Sequence, residues 1–308
     1  MRSAREAIPP SVNNISTLNS ILNMAPLVWL VTGCSSGFGR IFAQQILSRG
    51  DHVIATARRV ETLDDLSKSG ASIMKLDVTD DQDTIRDTIQ KAMSIHGRID
   101  VLVNNAGFIL GGAWEDLSDK QFRQAFETNV FGVLKVTKAL LPHFRERRTG
   151  TNVFISSISG FHGYEFNAGY SGTKFALEGM AESLWRETTH FGIRTLIVEP
   201  GQFRTELLSS RNLKNEPSNI PDYAQRSKDF NEYLANRSGH QAGDPEKGVS
   251  IVLDLVRGEG VAKGREMPLR IALGADGYEV VKNKCDETLK ILEDWKDVSC
   301  STDFDTQE

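Results

Sequence analysis

The feature that most restricts the fold of this sequence is a change of hydrophobic period that repeats from Pro26 onward. Short, continuous apolar runs at 27–32, 52–57, 72–76, 101–105, 152–157 and 194–199 alternate with longer segments of helical spacing. Those segments fall at about 37–48, 60–67, 81–96, 119–147 and 167–191. Strands without polar alternation are buried on both faces, which calls for a parallel sheet covered by helices on each side. Right-handed crossovers then make the sheet doubly wound. After 201 the pattern breaks into a polar, irregular stretch to about 244 with one expected helix near 222–235. Asp244-Pro245-Glu246 next reads as an N-cap, a proline at the first helical position and an acidic first turn. A last strand at 268–273 and a helix to about 295 complete the chain.

The expected fold class is therefore α/β, a doubly wound parallel sheet of Rossmann type with about seven strands and helices on both faces. We expect residues 1–24, rich in Ser and Asn with Pro9-Pro10, to be a disordered extension. Residues 25–308 are expected to form a single catalytic domain, with 202–244 as a lid over substrate.

Composition excludes some function classes. A formal net charge of −5 gives no basic footprint for nucleic acid or an anionic membrane, and no apolar run is long enough to span a bilayer. The three cysteines, Cys34, Cys285 and Cys300, are too dispersed for a zinc site or a disulfide framework, which fits a reducing, cytoplasmic setting. The six histidines show no ligand spacing, so no metal site is expected.

Two constellations carry chemistry. The first is Thr32-Gly33-Cys34-Ser35-Ser36-Gly37-Phe38-Gly39, a glycine-rich turn between the first strand and first helix. Such a turn lets a diphosphate approach the helix N-terminus, where free N–H groups and the dipole favour anions. At the end of the second strand an acid would meet a free ribose 2′-hydroxyl, but the chain reads Ala57-Arg58-Arg59. Arginine suits a 2′-phosphate, so the cofactor expected is NADP(H) rather than NAD(H).

The second is Tyr170 and Lys174, four residues apart and so on one face of a helix. An ammonium beside a phenol favours the phenolate, and we expect Lys174 to lower the pKa of Tyr170 toward the range useful for general acid/base work.

Thr-Gly-x-x-x-Gly-x-Gly at 32–39, Asn104-Asn105-Ala106-Gly107, Ser157 thirteen positions before Tyr170, Lys174, and Pro200-Gly201 with Thr205 stand in a characteristic order. In these motifs the chain resembles the short-chain dehydrogenase/reductase family, with a looser likeness to its hydroxysteroid and retinol dehydrogenase-like members. The resemblance implies that Tyr170 is the general acid/base, that Lys174 tunes it and holds the nicotinamide ribose, and that Ser157 hydrogen-bonds the reacting oxygen. Ser156 is the weaker alternative for that last role. It implies that Asn129 links the lysine through water to solvent. Asp77 would meet the adenine and Asn105 the adenine ribose, while Lys138, Phe203 and Thr205 would touch the cofactor. Homodimers or homotetramers are implied through the helices beginning near 119 and 167.

Hydride exchange between nicotinamide and an alcohol, ketone or aldehyde on an apolar small molecule is the expected activity. Two alternatives stay open: a non-catalytic NADPH-sensing protein, and a dehydratase or epimerase that uses the nucleotide only transiently. Trp114, Phe161 and Phe166 either line an apolar pocket or cover the core, and His162 is a remoter candidate for touching substrate.

Overall fold

The computed structural model describes residues 26–215 and 217–304. The expected extension at 1–24 lies outside the described residues. Seven parallel strands form the central sheet: β1 (Val28–Val31), β2 (His52–Ala57), β3 (Ser72–Lys75), β4 (Val101–Asn104), β6 (Gly150–Ile155), β7 (Ile193–Pro200) and β9 (Arg270–Leu273). Their order is β3-β2-β1-β4-β6-β7-β9. The chain winds outward in one direction from β1 to β3, then crosses back to β4 and winds the other way. The crevice at the carboxyl ends of β1 and β4 is where such sheets hold ligands.

Alternation along β1 explains the two covering layers, because successive side chains point to opposite faces. Trp29 and Val31 pack with Phe42, Ala43 and Ile46 of α1 (Gly37–Ser48) and with Val249, Val252 and Val256 of α8 (Pro245–Arg257). Val28 and Leu30 face Ile85 and Ile89 of α3 (Gln82–His96) and Val136, Leu140 and Phe144 of α5 (Gly132–Arg147). A short α2 (Asp64–Lys68) precedes β3. Helix α3 starts where Asp81 accepts hydrogen bonds from the Asp83 and Thr84 amides at 3.0 and 2.9 Å, and it stops at Gly97, whose φ is +75°. The sequence places Tyr170 and Lys174 on α6 (Ala168–Thr188).

Two local expectations are corrected. The helix expected over 119–147 is α4 (Asp119–Phe126) and α5 joined by a π-turn, Glu127–Phe131. The irregular stretch after 201 holds α7 (Pro221–Arg237) as expected, but also β8 (Leu213–Asn215). That strand pairs in parallel with β5 (Ile109–Gly111) as a separate two-stranded sheet beside the crevice. Helix α6 begins at Ala168, ahead of Gly172, a poor helix former. A Cβ there would only reach ordinary contact with Phe126, 3.8 Å away. Helix α9 spans Ala275–Asp294, and a short α10 (Lys296–Cys300) follows it.

Candidate active site

A cleft of about 380 Å³ opens at the carboxyl ends of the strands. Its floor at one end is the glycine turn, where Gly33 and Gly37 have φ of +73° and +56°, a backbone region that disfavours side chains. A Cβ on Gly33 would lie 2.9 Å from the Ala106 Cα, so the turn after β1 can touch the turn after β4 only as glycine. Gly39 stays off the cleft surface, and its hydrogen faces the Gly33 carbonyl and the Asn105 amide with no room for a Cβ. Ser36 is the extended N-cap of α1, and its side chain makes no capping bond. With no acid in the first turn, the N-terminal N–H groups stay open to an anion. These residues fit a dinucleotide diphosphate.

Ser35, Ser36, Gly37, Phe38, Arg58, Asp77, Asn105, Phe203 and Thr205 all line the cleft. Arg58 is exposed at the end of β2, directly after Ala57. The Asp77 carboxylate accepts from the Thr79 amide at 3.0 Å and from the Thr79 hydroxyl at 2.8 Å. Asn105 spends its side-chain amide on the Thr32 and Gly33 carbonyls, at 2.8 and 3.2 Å, tying the two turns together. Phe203 packs at 5.3 Å from Phe38.

At the other end stand Ser157, Tyr170 and Lys174. Ser157 follows β6 in extended backbone, and its Oγ accepts from the Ser159 amide at 3.1 Å. Its hydroxyl stands beside the Tyr170 phenol and favours the ionised form. Neighbouring Ser156 instead donates to Glu178 Oε1 at 2.5 Å, which leaves Ser157 as the serine beside the phenol. Lys174 Nζ lies 5.5 Å from the Tyr170 ring centroid and donates to the Ile155 carbonyl at 2.7 Å.

The expected acidification of Tyr170 is not what this arrangement produces. Burial pushes the phenol up to about 12, and the neighbouring Ser157 hydroxyl offsets that only in part. Burial also brings Lys174 down to about 8, opposed by the negative charge of Glu178 one turn away. Desolvation outweighs the pairing because the ammonium faces the ring and a backbone carbonyl.

One further expectation is corrected by position. Lys138 is exposed on α5 and is not among the residues that line the cleft. Its neighbour Thr137 is the residue that faces the sheet, accepting from Asn104 Nδ2 at 3.0 Å. Asn129 is buried in the π-turn, where Oδ1 accepts from the Phe108 amide at 3.1 Å. Its Nδ2 donates to the Phe108 carbonyl at 2.9 Å and to Thr173 Oγ1 at 3.1 Å. Its polar atoms thus hold the loop after β4 against α6, and Thr128 rather than Asn129 reaches the cleft.

Among the aromatic candidates, Trp114 is 75 % exposed and neither lines the cleft nor covers the core. Phe161 lies under the Arg270 guanidinium at 5.6 Å, Phe166 packs with Phe230 at 5.7 Å, and His162 sits edge-on to Tyr164 at 4.7 Å. Sequence reasoning missed Thr79, Phe108, Leu207, Arg211 and Lys214, all at the cleft. The last three belong to the stretch with no periodicity to read.

Residues 27–216 match the family model described as short chain dehydrogenase. The chain belongs to this family. A 3-ketodihydrosphingosine reductase of Bacteroides thetaiotaomicron is 38% identical over 201 residues, covering 65% of this chain and 73% of the relative. The crystal structure of a short-chain dehydrogenase from Streptomyces avermitilis superposes with a TM-score of 0.82 at 40% identity, covering 91% of this chain and 99% of that one. The structure of ElxO with NADP bound superposes with a TM-score of 0.62 at 25% identity, covering 80% of this chain and 98% of that one. This short-chain dehydrogenase is thus an oxidoreductase with the Rossmann-type fold, and relatives of that fold carry nicotinamide dinucleotides. Among the described residues, no helix is long and apolar enough to cross a membrane.

Proposed function

We propose that the protein is an NADP(H)-dependent oxidoreductase that interconverts an alcohol and a ketone or aldehyde on an apolar small molecule. The observation that carries this reading is the meeting of Ser157, Tyr170 and Lys174 with the glycine turn and Arg58 in one cleft. Gly33, Ser35, Ser36, Gly37 and Phe38 would hold the diphosphate, Arg58 the 2′-phosphate, and Asp77 with Asn105 the adenosine side. The nicotinamide, when bound, supplies or accepts the hydride.

The chain's own residues handle the proton and the charge. The Ser157 hydroxyl is fixed by its backbone and by the Ser159 amide, so it offers a hydrogen bond to the substrate oxygen where charge develops. A phenol held near 12 is protonated at neutral pH, which suits Tyr170 to donate in the direction of carbonyl reduction. As that proton leaves, the Lys174 ammonium beside the ring stabilises the phenolate. Phe108, Phe203 and Leu207 give the cleft apolar lining, and residues 202–244 would close over it. The relative named 3-ketodihydrosphingosine reductase supports a ketone on an apolar chain as the substrate type. The same reading carries a homodimer or homotetramer joined through the helices α4–α5 and α6, where Phe131, Leu134 and Phe175 are exposed.

Following NADPH and NADH absorbance across a panel of ketones, aldehydes and alcohols tests the proposal. Turnover of apolar members with NADPH preferred is the expected result. Binding of NADPH without turnover of any member would instead favour a sensor. Product formation with no net change in NADPH would favour dehydration or epimerisation.

A further inference from the structure

Beneath the floor of the active site lies a cluster of charge that the reaction as described does not use. Glu178 on α6 is 4% exposed and Glu199 on β7 is 1% exposed. Both carboxylates meet the same nitrogen of Arg270, a residue of β9: Arg270 Nη1 donates to Glu178 Oε2 at 3.1 Å and to Glu199 Oε1 at 2.8 Å. Sharing one donor nitrogen sets the two carboxyl groups next to each other, where they can bond to one another only through a proton, because two carboxylates only accept. Glu178 Oε1 accepts from Ser156 at 2.5 Å, so the pair is attached to the residue preceding Ser157. Room for this carboxyl group exists only because residue 160 is glycine: a Cβ there would collide with Glu178 and with Ser156 Oγ.

We propose that Glu178 and Glu199 share a single proton between them under the clamp of Arg270, and that this buried pair positions and keeps charged the ammonium of Lys174. The second half rests on the oxidoreductase reading, in which Lys174 must be an ammonium; the first does not. Glu178 lies four residues after Lys174, on the same face of α6, and its negative charge counters the desolvation of that ammonium. The charged groups around Glu178 are Lys174 and Glu182 on its own helix, Glu199 on β7 and Arg270 on β9. Arg270 Nη2 also reaches Glu182 at 3.3 Å, and its guanidinium covers the Phe161 ring. Two carboxylates held out of water on one guanidinium nitrogen repel each other, so one of them keeps a proton. In agreement, burial raises both carboxyls, Glu199 to about 7. Glu178 and Glu199 touch neither the cleft nor substrate and are positioning residues.

Infrared difference spectroscopy of the ligand-free protein reads the shared proton directly, whatever the enzyme turns over. A carbonyl band of a protonated carboxylic acid, shifted in deuterium oxide and titrating near neutral pH, is expected in the wild type and absent from both Glu178→Gln and Glu199→Gln. No such band in the wild type overturns the shared proton without touching the functional reading. The pH profile of kcat/KM reads the effect on Lys174, and the two variants should move its alkaline limb in opposite directions. Glu178→Gln leaves the remaining charge on the more distant Glu199, so the limb falls by about one pH unit. Glu199→Gln leaves Glu178 fully ionised beside Lys174, so the limb stays in place or rises. A purely structural role predicts no such split, and limbs that coincide in both variants overturn the positioning of Lys174.

Discussion

Lys174 presents its ammonium to the face of Tyr170, 5.5 Å from the ring centroid, while its hydrogen bond goes to the Ile155 carbonyl at 2.7 Å. The cation therefore sits where a phenolate would be stabilised, without pulling the proton off the phenol beforehand. Burial keeps that proton in place, with the phenol near 12. A site so arranged stores an acid and lowers the cost of its conjugate base only when the proton is used.

Tyr170→Phe removes the acid and leaves the ring, the α6 packing and the glycine turn in place. Turnover should drop by roughly 10²–10⁴-fold, while NADPH affinity, read by fluorescence titration, stays within a few-fold of wild type. Near-normal turnover would take Tyr170 out of the reaction.

Arg58 is exposed at the rim of the cleft, directly after β2. Arg58→Ala should raise the dissociation constant for NADPH by roughly tenfold or more and leave that for NADH nearly unchanged, since only the former carries a 2′-phosphate. Calorimetric titration with both nucleotides compares them, and equal weakening of the two contradicts the assignment.

Asp51 fastens the bottom of the sheet. Its carboxylate accepts from the Trp29 indole at 2.9 Å, from the Leu27 amide at 2.9 Å and from Arg257 at 2.6 and 2.7 Å, with a side chain 2% exposed. Asp51→Ala leaves the indole without its acceptor and Arg257 without this partner, a loss expected to cost about 3–5 kcal/mol. Urea unfolding measures it, and a change below about 1 kcal/mol would show that the strand is held by packing alone.

Asp100 carries a pH dependence. Burial opposes its ionisation, but the Val28 amide and the Arg147 and Arg98 guanidiniums outweigh that and hold the carboxyl below the ordinary aspartate range. The unfolded chain then binds a proton more readily than the folded one. The stabilisation is present above the ordinary aspartate pKa of about 3.9 and is lost as pH falls through the lower folded value. Asp100→Asn should flatten this part of the acid limb in a series of unfolding curves, and an unchanged slope would assign the acid sensitivity elsewhere.

Sheet and site were legible in the sequence to the extent that local chemistry fixed them. Val28–Val31 and the glycine turn announce a buried strand and a ligand-ready helix start, because apolar runs and tight turns depend on neighbours along the chain. The Tyr170–Lys174 pair comes from helical spacing. The phenol's resistance to ionisation does not, since it comes from burial, which spacing along one helix does not reveal. Strand β8 is invisible to periodicity because three residues of mixed polarity carry no period, and their order comes from pairing with Ile109–Gly111. Lys138 misleads for a related reason: which residue of a helix faces the sheet depends on phase, and the π-turn before α5 changes it.

That π-turn separates two requirements that usually travel together. It carries one residue more than regular α-helix would, and Asn129 faces Phe108 and Thr173 only with that extra residue in place. A chain shortened by one position between Glu127 and Phe131 could close into an uninterrupted helix with a fully bonded backbone. It would rotate the helix on one side of the deletion by about 100° relative to the helix on the other. Length at this point is thus a hidden specification: a single-codon deletion could leave a folded protein whose loop after β4 has lost its anchor.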